Sequence, residues 1–172
     1  MAKAVFLDRD GVLNVERGAY TFKVEDFEIC AGVPRALTLL KEHGYYLIVI
    51  TNQGGIAKGL YTKEDVVACH EKLQKASGGL LDALYMAPAH DAVSASLARK
   101  PNSLLLEKAM AKFNLDPAQC WMVGDQLRDM QAAQKVGVKG ILVGEQHALD
   151  TYAMQVKDLA EAAHLILAQG QK

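Results

Sequence analysis

Two aspartates, Asp8 and Asp10, stand two positions apart directly behind the apolar run Ala4-Val5-Phe6-Leu7. Carboxylates held that close repel, and their pKa values rise unless something positive compensates them. A structural strand end gains nothing from such a pair. Further polar residues follow other apolar runs: Thr51-Asn52, Arg99-Lys100 and Gly124-Asp125, with Asp129 a helical turn later. Taken singly, each has an ordinary explanation, as a turn, a solvated pair or a helix cap. Taken together they suit one chemistry. Hard oxygens from Asp8, Asp10 and Asp125 around an open site are what Mg²⁺ accepts, leaving positions for water and a phosphate. Thr51 offers a hydroxyl and Asn52 an amide to phosphoryl oxygens. Lys100 can balance charge at a transferring phosphoryl group, where preorganised donors act most strongly. Backbone N–H groups near Gly54 and Gly55 can add to these donors.

For such residues to meet, the fold must bring the ends of separate segments together. "AVFL" (4–7), "YYLIVI" (45–50), "LLDALYMA" (80–87), "CWMV" (120–123) and "GILV" (140–143) read as five short buried strands. Between them lie helical patterns: one opened by Pro34 and stopped at Gly44, one capped by Thr62 and ending at Gly78-Gly79, and others over 103–113 and 127–136. Asp158 is placed to cap a last helix bearing Leu159, Ala162, Ile166 and Leu167. Strands alternating with helices predict a three-layer, Rossmann-like α/β fold, a mostly parallel sheet with helices on both faces. Such sheets bind ligands beyond the C-terminal ends of their strands, where every candidate residue falls.

The bulk properties agree. A chain of 172 residues, half of them apolar, suits a single domain spanning 1–172 with one good-sized core. A formal net charge of −1 argues against a nucleic-acid partner. No apolar run is long enough for a membrane span, and the N-terminus reaches charge too soon for a secretory signal. Cys30, Cys69 and Cys120 form no CxxC pair, which fits reduced, packed thiols in a cytoplasmic protein. Small size and the lack of an obvious apolar patch lean towards a monomer.

The segments "FLDRDGVLN", "VITNQGGIAKG", "RKP" and "VGDQLRD" resemble, in order and spacing, the four motifs of the haloacid dehalogenase-like phosphatases. The resemblance runs from about Ala4 to Val143. It is closest to the branch with minimal or no cap that contains heptose bisphosphate phosphatases and histidinol phosphatases. It implies a Mg²⁺-dependent phosphatase acting on a small soluble phosphomonoester, with a sugar bisphosphate first and histidinol phosphate or another phosphomonoester as alternatives. It implies Asp8 as the nucleophile and Asp10 as general acid and then base. Asp8, Asp125 and the main-chain carbonyl of Asp10 would hold the metal. Thr51 and Lys100 would hold the phosphoryl group, and Asn52, Arg99 and Gln126 would face the substrate, Arg99 through a second phosphate. Asp129 is expected to orient Lys100 rather than bind the ion.

The chain departs from this branch in one respect. Many members carry a zinc loop of three cysteines and a histidine before "RKP". Here that stretch, "APAHDAVSASLARKP", holds His90 and no cysteine. A lone histidine makes no structural zinc site, so none is expected. Arg17, Gly18 and Tyr20 fall in the loop a substrate would meet. Cys69-His70, on different helix faces, read as packing or solvent-facing residues, Trp121 as core, and His147 and His164 as surface. A phosphoacceptor receiver domain also gathers acids, a Thr and a Lys-Pro at a sheet edge. Its acidic pair is adjacent, whereas this pair is spaced DxD and Lys100 precedes Asp125, which disfavours it. A catalytically silent phosphate binder is disfavoured because none of the four motifs lacks a residue.

Overall fold

A computed structural model describes residues 1–144 and 154–170. The apolar runs become parallel strands of one sheet: β1 (Ala4–Leu7), β2 (Tyr46–Asn52), β3 (Ala83–Ala87), β4 (Trp121–Gly124), β5 (Lys139–Val143) and β6 (Met154–Val156). Their order across the sheet is β3-β2-β1-β4-β5-β6, and every neighbouring pair is parallel. The helices are α1 (Val33–Glu42), α2 (Lys63–Ala76), α3 (Leu104–Phe113), α4 (Leu127–Lys135) and α5 (Leu159–Gln169).

Burial on both faces explains why the strands are apolar without alternation. Val5, Leu7, Leu47, Val49 and Trp121 face the layer of α1, α2 and α5. Their strand neighbours Ala4, Phe6, Ile48, Ile50 and Met122 face α3 and α4. Helix starts follow capping chemistry. The Thr62 hydroxyl accepts from the Asp65 N–H at 3.2 Å, and the Asp65 carboxylate accepts from the Thr62 N–H at 2.8 Å. Asp158 accepts from the Glu161 N–H at 3.0 Å and opens α5.

Two expectations need correction. The third strand begins at Ala83, not Leu80. The backbone of Leu81 is bonded instead to the Gln74 side-chain amide at 2.7 and 3.1 Å. The sheet also has a sixth strand, β6, where five were expected. At three residues it carries too little periodicity to be read from sequence, and its place is set by pairing with β5. No helix among the described residues is long and apolar enough to cross a membrane.

From β1 the chain winds through β2 and β3 to one edge, then crosses back to β4 on the other side of β1. The crevice outside the C-terminal ends of β1 and β4 is therefore the topological switch point, where open α/β sheets place ligands. The segments joining β1 to α1 and β2 to α2 contain no helix, so neither builds a cap domain over it.

Candidate active site

Asp8 follows β1 without a break, and its N–H still bonds the Val123 carbonyl of β4 at 2.9 Å. Its side chain is nearly buried against Lys100, whose Nζ lies 2.9 Å from Asp8 Oδ1 and 2.7 Å from Asp129 Oδ1. The same ammonium donates to the Ile50 carbonyl at 2.7 Å, so three protein oxygens crowd around it. Two glycines let the carboxylates approach. A Cβ on Gly124 would stand 2.4 Å from Asp129 Oδ2, and one on Gly11 would stand 2.3 Å from Asp125 Oδ2. Gly11 also has a φ of 82°, a conformation that L side chains disfavour.

Ligand atoms of Asp8, Asp125 and Asp129 all lie within 4.8 Å of one another. The three differ in what already occupies them. Asp129 Oδ1 faces Lys100, and its Oδ2 accepts from the Gln126 N–H at 3.1 Å. Asp125 and Asp8 both line the cleft. Burial pushes the Asp8 carboxyl up to about 7, with Asp129 adding to it and Lys100 opposing. Burial, then the charge of Asp8, raises Asp125 to about 6. Burial pulls the Lys100 ammonium down, but Asp129 and Asp8 outweigh it and leave its pKa above the usual lysine value.

Asp10 lies in a net of donors. Arg9 Nη2 reaches Asp10 Oδ1 at 2.9 Å, Asn14 Nδ2 reaches it at 3.0 Å, and Gln53 Nε2 bonds Oδ2 at 3.1 Å. Arg9 is 1 % exposed. Its guanidinium also bonds the Thr21 carbonyl at 2.6 Å and lies 5.5 Å from the centre of the Phe27 ring. Thr51 is buried, and its hydroxyl accepts from Gln53 Nε2 at 2.9 Å. Sequence reading singled out neither Arg9, Asn14 nor Gln53. Their signal was weak, since polar residues beside a motif are ordinarily solvated.

A cleft of about 380 Å³ opens over this group, lined by Asp8, Asp10, Asn52, Asp125 and Gln126 among the expected residues. Thr51 and Lys100 are buried and stand outside its lining. The loop after β1 supplies Glu16, Gly18 and Tyr20, and α4 adds Arg128, which sequence reading missed. Arg17 instead pairs with Asp26 at 3.0 Å.

Asn52 and Arg99 also have partners within the protein. Asn52 grips the Lys100 backbone on both sides, accepting from its N–H and donating to its carbonyl, each at 3.0 Å. Arg99 is outside the cleft lining. Its guanidinium bonds Asp91 at 3.3 Å and the Ala89 carbonyl at 3.2 Å. Gly54 and Gly55 make room for side chains. A Cβ on Gly54 would meet the His90 ring at 2.8 Å, and one on Gly55 would meet the Tyr61 ring at 2.1 Å. Trp121 is core, Cys69 is buried with its Sγ 3.4 Å from the Phe22 carbonyl, and His164 is exposed. His147 lies outside the described residues.

A parallel sheet of this order, with acids, a lysine and a threonine at its switch point, defines a phosphatase of the haloacid dehalogenase class. The HAD-hydrolase-like family profile matches residues 97–164. A D-glycero-beta-D-manno-heptose-1,7-bisphosphate 7-phosphatase from Haemophilus ducreyi is 39% identical over 146 residues, covering 80% of both chains. A D-glycero-alpha-D-manno-heptose-1,7-bisphosphate 7-phosphatase from Campylobacter jejuni is 35% identical over 163 residues, covering 92% of each. The crystal structure of D,D-heptose 1,7-bisphosphate phosphatase from B. bronchiseptica, complexed with magnesium and phosphate, superposes with a TM-score of 0.89. That match is 28% identical in sequence and covers 98% of this chain and 99% of the other. The chain belongs to the haloacid dehalogenase-like phosphatases.

Proposed function

We propose that this chain hydrolyses a phosphate ester of a heptose 1,7-bisphosphate, at the 7-position as its relatives' names state, with Mg²⁺ as the resident ion. The observation that carries the reading is the meeting of Asp8, Lys100 and Asp129 beside Asp125 at the switch point.

Hard carboxylate oxygens of Asp8 and Asp125 beside an open cleft fit Mg²⁺, and the main-chain carbonyl of Asp10 would join them as the family resemblance implies. When bound, the ion neutralises these carboxylates and withdraws charge from the phosphoryl oxygens. A carboxylate oxygen of Asp8 attacks phosphorus. A Asp8–phosphorus bond forms as the ester P–O bond breaks, and Asp10 gives its proton to the leaving sugar oxygen. Water then attacks phosphorus, Asp10 takes its proton, and Asp8 is released with inorganic phosphate. Lys100 contributes by its charge, held beside Asp8 and Asp129 and bonded to the Ile50 carbonyl. Asn52 fixes the Lys100 backbone. Phosphate release should be measured with both heptose bisphosphate anomers and histidinol phosphate, with Mg²⁺ and with EDTA. Turnover of heptose bisphosphate lost in EDTA is expected, and equal rates on all substrates would reject the sugar assignment.

The raised carboxyls make stability depend on pH and metal. Folded Asp8, at about 7, and Asp125, at about 6, hold protons that an unfolded chain gives up near pH ~4. The metal-free fold therefore binds more protons than the unfolded chain. The stability this gives is full below about pH 4 and is lost as pH rises through 6 and 7. Mg²⁺ takes the place of those protons. Melting curves should show little difference between EDTA and Mg²⁺ near pH ~5 and a difference of several degrees near pH ~8. A difference independent of pH would contradict the placement of the ion at these two acids.

Arg99 is assigned to the second phosphate of a bisphosphate, since a guanidinium pairs with phosphate in bidentate fashion. It would have to exchange Asp91 for that phosphate. Arg99→Ala should raise KM about tenfold for the bisphosphate, the loss of one charge-assisted hydrogen bond, and leave a monophosphate unaffected. Initial-rate kinetics on the two substrates decide this, and equal effects on both would remove Arg99 from that role.

A further inference from the structure

Gln53 is 2 % exposed, yet its side-chain amide makes hydrogen bonds to three separate groups. Nε2 donates to Asp10 Oδ2 at 3.1 Å and to Thr51 Oγ1 at 2.9 Å. Oε1 accepts from the Tyr61 hydroxyl at 2.7 Å. A primary amide can flip, which would turn its oxygen towards Asp10 and Thr51. The Asp10 carboxylate, which only accepts, draws Nε2 towards it, and the Tyr61 hydroxyl holds that orientation from the other end by donating to Oε1. Burial pushes the Tyr61 phenol up to about 12, so the donor is present throughout the working pH range. The ring itself is fixed. It stacks on Phe22 at 5.0 Å, meets Tyr20 edge-on at 5.7 Å, and lies where any side chain on Gly55 would collide with it.

We propose that Tyr61 and Gln53 form a positioning relay that aims two groups of the site at once, the Asp10 carboxyl and the Thr51 hydroxyl. Because Thr51 Oγ1 accepts from Gln53, its own proton is left to donate to a phosphoryl oxygen. Because Asp10 Oδ2 is held by the same Nε2, the acid is fixed towards the leaving oxygen. Neither Tyr61 nor Gln53 need touch the reacting atoms. The inference rests on Asp10 acting as the general acid.

The test uses kcat/KM for two phosphomonoesters. A heptose bisphosphate has an alkoxide leaving group that needs a proton, and 4-nitrophenyl phosphate has a phenolate that does not. Tyr61→Phe keeps the ring packing and removes only the donor. It should lower kcat/KM for the sugar phosphate on the order of tenfold, a fraction of what a general acid contributes, and lower it for 4-nitrophenyl phosphate by a clearly smaller factor, through Thr51 alone, with the melting temperature preserved. Gln53→Leu should show the same selectivity with a larger loss. An equal loss on both substrates, or no loss on either, would overturn the relay to Asp10. Asp10→Asn runs in parallel. If it shows no leaving-group selectivity, the acid assignment itself fails. If it is selective and Tyr61→Phe is not, the relay alone fails.

Discussion

Asp8→Asn is expected to abolish phosphate release while leaving the protein folded. The amide keeps the shape of the carboxylate and loses its nucleophilic charge, so no Asp8–phosphorus bond forms. The fall in kcat should be on the order of 10⁴-fold or more, as for other nucleophiles removed from covalent mechanisms. Stability should move the other way. In the metal-free fold, burial and Asp129 disfavour the charged form of Asp8, and an amide escapes that penalty. Near pH ~8 in EDTA the variant should melt no lower than the parent, and the gain from Mg²⁺ should shrink because one ligand carries less charge. Quenched phosphate-release assays and melting curves measure both. Normal turnover in a folded Asp8→Asn protein would end the nucleophile assignment.

Lys100→Met should damage both the reaction and the fold. Methionine matches much of the stem but removes the charge between Asp8 and Asp129, and leaves the Ile50 carbonyl without its donor. Breaking a buried ion cluster by deleting one partner costs about 3–5 kcal/mol. For a chain of this size that is a fall of roughly 10 °C in melting temperature. The fall should deepen as pH rises and Asp8 ionises. Activity should drop by about 10²–10³-fold, the scale of losing one preorganised electrostatic group beside a charged transition state. Adding Asp129→Asn removes one of the stranded charges, so the double variant should regain part of the lost stability and none of the lost turnover. Recovery of turnover in the double variant would mean that Lys100 only neutralises Asp129.

The linear sequence determined most of the frame. Five apolar runs separated by helical patterns specified a parallel sheet, because a strand covered on both faces must be apolar along its length. Residues following those runs, Asp8, Thr51 and Asp125, were legible as site candidates for the same reason: the fold class sends strand C-termini to one edge. Capping by Thr62 and Asp158 was legible because it is local chemistry, three residues long. Tertiary structure alone decided what those residues touch. Asn52 reads as a substrate contact in sequence, and only the fold shows its amide bonded to the Lys100 backbone. Arg99 reads as a phosphate reader, and only the fold supplies the Asp91 and Ala89 partners it would exchange. Arg9, Gln53 and Tyr61 carried no pattern, because a hydrogen bond between residues 8, 12 or 43 positions apart leaves no periodic trace. The short strand β6 stayed hidden likewise, since its conformation comes from pairing with β5 rather than from its own three residues. Local propensity and burial are written along the chain, whereas partner choice among polar side chains depends on distances that exist only after folding.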